Sequence, residues 1–132
     1  MSQLQFYTAL TALWIGIAWV PYILDRIAVR GFMGALDNYD PHAIPQSDWA
    51  QRAQRAHTVA VEAFAAFAPL AVIAMLTRPE DSYPGVLAMT FFIGLVAHYV
   101  IYVLGIVVLR TLAFALAAFS TLGLALRVLG VI

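Results

Sequence analysis

The sequence predicts an all-α integral membrane protein built as a four-transmembrane-helix bundle. Three observations carry that prediction. Apolar residues make up 64% of the 132-residue chain, where soluble domains sit nearer half, and the mean hydropathy is +0.89. These residues are gathered into long runs of the length a bilayer crossing needs, about 20 residues each. Charged residues are only 11% of the chain, and they fall mainly between those runs.

The same composition excludes several function classes. All seven basic residues are arginine and the formal net charge is zero, so nothing provides the basic surface that nucleic-acid binding needs. There is no cysteine, which rules out disulfides, thiolate metal sites and a cysteine nucleophile. No metal site is predicted.

The N-terminal stretch MSQLQFYTALTALWIGIAWVPYILDR lacks the basic n-region of a signal peptide, and its apolar part is too long for an h-region. It reads as a retained first span, residues about 4–26, bent near its end by Pro21. Next comes a polar segment, about 27–48, containing DNYDPHAIPQSD with its turn formers. The chain then reads as a single membrane domain, with further spans at about 49–77, 84–105 and 109–130. Asp48, with Gln51 three residues on, resembles a capping box that starts the second span near Trp49. The short turn TRPEDSYPG ends that span, and the last two spans are divided near Leu104–Gly105, just before Arg110.

Arginine placement sets the expected direction. Arg26, Arg30, Arg52, Arg55 and Arg110 fall on one side, against Arg78 and Arg127 on the other. The excess places the first loop in the cytoplasm and both termini outside. Trp49 and Tyr83 stand where interfacial aromatics are expected.

The candidate site follows from comparing depths. Glu62 has only apolar or small neighbours for several positions on either side, and a carboxylate in hydrocarbon costs roughly 2.5–3.5 kcal/mol on insertion scales unless it is paired. Arg55, seven residues earlier, lies within about 20° of it on the helix wheel and about 10 Å away along the axis. His98 and Tyr102, four apart on the third span, share a face. Arg110 and Thr111 open the fourth span. Arg55, Glu62, His98, Tyr102 and Arg110 therefore belong to one cytoplasmic half.

Each residue also has a plainer reading. Arg52 and Arg55 can serve topology and lipid headgroups, His57 and Tyr102 can be interfacial, and His98 can bond between helices. Arg110 or Arg55 is the simplest partner for Glu62. The alanines Ala53, Ala56, Ala60 and Ala63 form a narrow flank suited to close helix approach, within or between subunits.

R-A-x-R-A-H-x-x-x-x-E from Arg52 to Glu62, the later A-H-Y-V-I-Y, and an arginine opening the last span together resemble the MAPEG family, the membrane-associated proteins of eicosanoid and glutathione metabolism. WVPYILDRIAVRG near the N-terminus resembles its small bacterial members. The resemblance covers nearly the whole chain. It implies a homotrimer in the bacterial inner membrane, with glutathione bound between subunits near the cytoplasmic side and a small lipophilic molecule as the other substrate. The implied chemistry is that of a glutathione transferase or peroxidase. The residues it implies are Arg26 or Arg30, Arg55, Glu62, His98, Tyr102 and Thr111 for the ligand, and Arg110 facing the thiol.

Those residue types suit that ligand. Arginines fork to carboxylates, an acid takes the ammonium, and a cation beside sulfur favours the thiolate. The chain departs from the family pattern at Thr58 and Val59, where active members carry arginine and asparagine. It departs again at Leu95, in place of an arginine, and at Phe114, in place of a tyrosine. Phenylalanine cannot donate to a thiolate. Two other function classes therefore compete. One is a non-catalytic relative whose pocket holds a lipid headgroup or another anion. The other is a transport or channel subunit built around Glu62.

Overall fold

The computed structural model describes all 132 residues as an all-helical bundle. Its helices are α1 (Gln3–Ile17), α2 (Val20–Ala35), α3 (Asp48–Thr77), α4 (Tyr83–Val103) and α5 (Val107–Val128). α1 and α2 run as one broken unit. Four units are thus long and apolar enough to cross a membrane: Gln3–Ala35, Asp48–Thr77, Tyr83–Val103 and Val107–Val128.

α1 starts in a capping box. The Gln5 amide donates to Ser2 Oγ (3.2 Å) and the Ser2 amide to Gln5 Oε1 (2.8 Å). The break after Ile17 follows from Pro21 in the first turn of α2, because proline has no N–H to give and crowds the carbonyl four residues back. Carbonyls beside such a break find no water in a bilayer and need side-chain donors. Trp19 Nε1 donates to the Gly16 carbonyl (2.8 Å), the Tyr99 hydroxyl to Ala18 (2.9 Å) and His57 Nε2 to Ile15 (2.9 Å). Since a carbonyl only accepts, His57 carries its proton on Nε2, and Nδ1 accepts from the Tyr22 hydroxyl (2.8 Å). The sequence reading made His57 interfacial. It is instead an internal strut joining α3 to the broken first helix. Replacing His57 with leucine strands the Tyr22 hydroxyl and removes one carbonyl's donor, a loss of about 1–3 kcal/mol. His57→Leu is therefore expected to lower the unfolding midpoint in detergent more than Tyr22→Phe does. A midpoint equal to wild type would show the strut to be idle.

The first helical unit runs past the expected end near residue 26. α2 reaches Ala35, interrupted at Gly31 where φ is +74°, so the connection shrinks to residues 36–47. The polar residues that suggested loop are satisfied on a helix. Asp25 is buried and accepts from the Ser47 amide, the Ser47 hydroxyl and Gln46 Nε2. Arg30 Nε donates to the Ile44 carbonyl (2.7 Å). These bonds lash the connection onto α2. They also displace the expected Asp48–Gln51 box: the N-cap is Ser47, its hydroxyl spent on Asp25, and Gln51 Nε2 bonds the Gln46 carbonyl instead.

α3 packs through its small residues. Ala53, Ala56, Ala60, Ala71 and Ala74 are fully buried, so the alanine flank serves close approach inside one subunit. Phe67 stacks on Phe91 of α4 with centroids 4.0 Å apart. α4 and α5 approach most closely at Gly94, where an added Cβ would lie 2.9 Å from the Ala117 amide nitrogen and 3.0 Å from the Ala113 carbonyl oxygen. One turn away Thr90 and Ser120 share a hydrogen bond of 2.7 Å.

Arginines from other helices close both ends. At the α4–α5 turn, where Gly105 has φ +79°, Arg52 donates from Nε and Nη2 to the Val103 carbonyl (3.1 and 3.0 Å). At the α3–α4 turn, Arg127 pairs with Asp81 at 2.7 Å. That hydrogen bond, with help from the Tyr83 amide, holds the Asp81 carboxyl below its usual range. A depressed carboxyl contributes stability above its unfolded pKa, near 4, and loses it as pH falls through the lower folded value. The difference in unfolding midpoint between wild type and Asp81→Asn should therefore be constant at neutral pH and close below about pH 4. A difference independent of pH would rule out the pair as its cause.

Candidate functional site

At the end of the bundle where α4 stops and α5 starts, two pairs of residues four apart face each other across antiparallel helices. His98 and Tyr102 come from α4, Arg110 and Phe114 from α5. They interleave into a ladder. The Arg110 guanidinium carbon lies 4.2 Å from the Tyr102 ring centroid. Tyr102 meets His98 edge to face at 5.5 Å, and His98 packs on Phe114 at 5.6 Å. The α4–α5 turn directs both helices back along each other, so residues just before and just after it share a depth. The short turn is what makes that pairing obligatory.

The electrostatics of the ladder are incomplete within one chain. His98 is 5% exposed and its Nδ1 is buried without a partner, although buried polar atoms are nearly always bonded. Arg110 has no acid: the single ion pair of the chain is Arg127–Asp81. Its stacking on Tyr102 contributes about 0.5–2 kcal/mol and fixes the guanidinium without neutralising it. The ladder is thus a rigid, cationic, donor-bearing edge.

The other predicted residues are placed differently. Thr111 is exposed and bonds only its own helix, at the Val107 carbonyl (3.3 Å). Arg55 and Glu62 are exposed on the outer face of α3, and neither makes an ion pair or a side-chain hydrogen bond. The expected pairing of Glu62 with Arg110 or Arg55 does not form in the chain. The reason is azimuth. Glu62 lies two positions beyond buried Ala60, roughly 200° round the helix, so packing the alanines inward turns the carboxylate outward. Thr58 shares that outer face, its hydroxyl bonded to the Gln54 carbonyl (3.1 Å). On α2, Arg30 is occupied by the connection, while Arg26 Nε is buried with no partner.

Sequence reasoning missed the structural duties of His57, Arg52 and Asp25. One signal was available for His57: Pro21 guarantees a broken helix, and a broken helix in hydrocarbon calls for donors at its own depth.

The broken first helix, the antiparallel spans and the cationic ladder at one end together define a multi-pass α-helical membrane protein. The family model of the MAPEG family matches residues 4–130. The chain belongs to that family, whose fold is a four-helix membrane bundle. No curated protein matches it.

Proposed function

We propose that this protein works as a homotrimer in the bacterial inner membrane and binds glutathione between neighbouring subunits, as a transferase or peroxidase acting on a small lipophilic substrate. In this reading residues 1–132 form one membrane domain, the 36–47 connection is cytoplasmic and both termini are outside. The arginine excess on the connection side supports that orientation.

One observation carries the reading: within a chain Glu62 has no cation and Arg110 no anion, though both lie in the same half of the bundle. Lipid tails satisfy neither group. A rotation axis that sets the outer face of α3 against the α4–α5 edge of a second copy gives both groups partners and leaves a charged seam between them. Glutathione brings two carboxylates, an ammonium and a thiol to such a seam. Arg26, Arg55 and Arg110 supply cations, Glu62 an acid for the ammonium, and His98 and Tyr102 directional bonds. Thr111 rims the opening. Arg110 beside the sulfur favours the thiolate, the nucleophile in conjugation or peroxide reduction.

Phe114 favours a second reading, in which the same seam holds a lipid headgroup or another anion without thiol chemistry. Its ring packs on His98 and offers sulfur no hydrogen bond. Calorimetric titration of glutathione into the detergent-solubilised protein separates the two. Saturable binding, with S-methylglutathione binding distinctly more weakly, supports the thiolate site. Equal binding of the two peptides supports an anion site alone. No binding of either removes glutathione from the account. Glu62→Gln is expected to weaken the assembly as well, visible as a smaller particle by light scattering.

A further inference from the structure

The opposite end of the bundle holds a cavity that the glutathione reading does not use. It has a volume of about 280 Å³ and is lined by Ser2, Gln3, Arg78, Glu80, Asp81 and Gly85 among others, with Leu4 and Met75 as its apolar wall. It lies where α1 and α4 begin and α3 ends. Tyr83, at the start of α4, precedes His98 by fifteen residues, which separates the cavity from the cationic ladder by about 22 Å along the helix axis. The floor is shaped by close packing: a Cβ on Gly85 would lie 2.9 Å from the Gln3 Cβ.

Its charges divide into a spent pair and a free pair. Asp81 is committed, Oδ2 to Arg127 at 2.7 Å and Oδ1 to the Tyr83 amide at 3.0 Å. The Arg78 side chain makes no hydrogen bond or ion pair, acting on Asp81 only through its field, and its Nη2 reaches across to the end of α5, 3.7 Å from where a Cβ on Gly130 would stand. Glu80 is exposed and likewise unpartnered. The cavity therefore offers one free guanidinium and one free carboxylate, with no net charge left over.

We infer that this cavity seats the headgroup of a zwitterionic phospholipid bearing a primary ammonium, its phosphate on Arg78 and its ammonium on Glu80. A guanidinium is the side chain that forks to phosphate. A primary ammonium gives the carboxylate N–H donors that a quaternary choline lacks. An anionic headgroup brings phosphate to Arg78 but leaves Glu80 uncompensated. The lipid, rather than a soluble phosphoethanolamine, is indicated by what flanks the charges. Leu4 and Met75 wall the cavity. On the same end of α3 Leu76, two residues before Arg78, is 78% exposed and Val72, about one turn deeper, 50% exposed, which leaves apolar surface beside the head for acyl chains. The site stands on the cavity and its charges and is independent of whether glutathione binds at the other end.

Native mass spectrometry of the delipidated protein tests the inference, using phosphatidylethanolamine, phosphatidylcholine and phosphatidylglycerol with identical chains. At least tenfold stronger retention of phosphatidylethanolamine is expected. Arg78→Ala should reduce that retention tenfold or more. Glu80→Gln should leave phosphate binding but erase the preference over phosphatidylcholine. Soluble phosphoethanolamine should compete only at large excess. Equal retention of the three lipids, or unchanged selectivity in Glu80→Gln, overturns the proposal, and displacement by equimolar phosphoethanolamine overturns its lipid source. Both side chains lack partners in the fold, so unchanged unfolding midpoints are expected. Should Arg78→Ala not fold, the Glu80→Gln comparison decides.

Discussion

Gly94→Leu is expected to yield no folded protein. An α4 side chain at this position has nowhere to go, because even its first carbon would sit 2.9 Å from the Ala117 nitrogen and 3.0 Å from the Ala113 carbonyl oxygen of α5. Both are backbone atoms of a helix that cannot shift alone. Thr90–Ser120 fixes the same interface a turn away, and Phe91 and Leu95 on either side are fully buried. Overpacking typically costs about 1–3 kcal/mol where side chains can rearrange, and here the obstacle is backbone. Gly94→Ala should fall within that range and remain foldable with a lowered midpoint. Gly123 gives the contrast. A Cβ there meets only the ends of Leu87, at 3.3 and 3.5 Å, so Gly123→Ala should change the midpoint little. Detergent extraction followed by size-exclusion chromatography and thermal unfolding reads all three. A monodisperse Gly94→Leu protein with a wild-type midpoint would show that α4 and α5 do not pack at this distance.

Arg110→Ala is expected to remove most thiol activation, if glutathione is the ligand. The guanidinium is held on the Tyr102 ring and carries no counter-ion in the chain, so its charge is available to a bound sulfur. Without it a thiol returns toward its free pKa, about 8.5, and each unit of that rise lowers the thiolate fraction about tenfold at neutral pH. Conjugation at pH 7 should fall tenfold or more, and the ascending, acid-side limb of the pH–rate profile should move to higher pH. Arg110→Lys keeps the charge but loses the flat stacking and the fork, so an intermediate profile is expected. A profile unmoved by both substitutions would assign Arg110 to packing or topology alone.

The two ends of the bundle were unequally legible. The turn at Leu104–Gly105 was readable because glycine interrupts an apolar stretch too long for one crossing, and the structure has Gly105 at φ +79° there. His98, Tyr102 and Arg110 could be set at one depth from their distances to that turn, and they do meet. The first helix was misjudged in length. Asp25 and Arg30 look like groups left to solvent at the end of a short span until their bonds with Ser47, Gln46 and Ile44 are known. Those partners are twenty-two, twenty-one and fourteen residues away from the groups they bond, beyond the reach of any local pattern.

By itself the sequence determined that the chain is helical, that it has four units long and apolar enough to cross a membrane, and which polar residues flank the α4–α5 turn. All three follow from position along the chain, because hydrocarbon thickness fixes how many apolar residues a span needs. Only the tertiary structure decided which way each side chain points. In water a helix marks its buried face with hydrophobicity. In lipid both faces are apolar, and the inner one is marked by small size instead. Burial of Ala53, Ala56 and Ala60 is what turned His57 inward to brace the broken helix, put Arg52 on the Val103 carbonyl, and left Glu62 and Arg55 facing out of the chain.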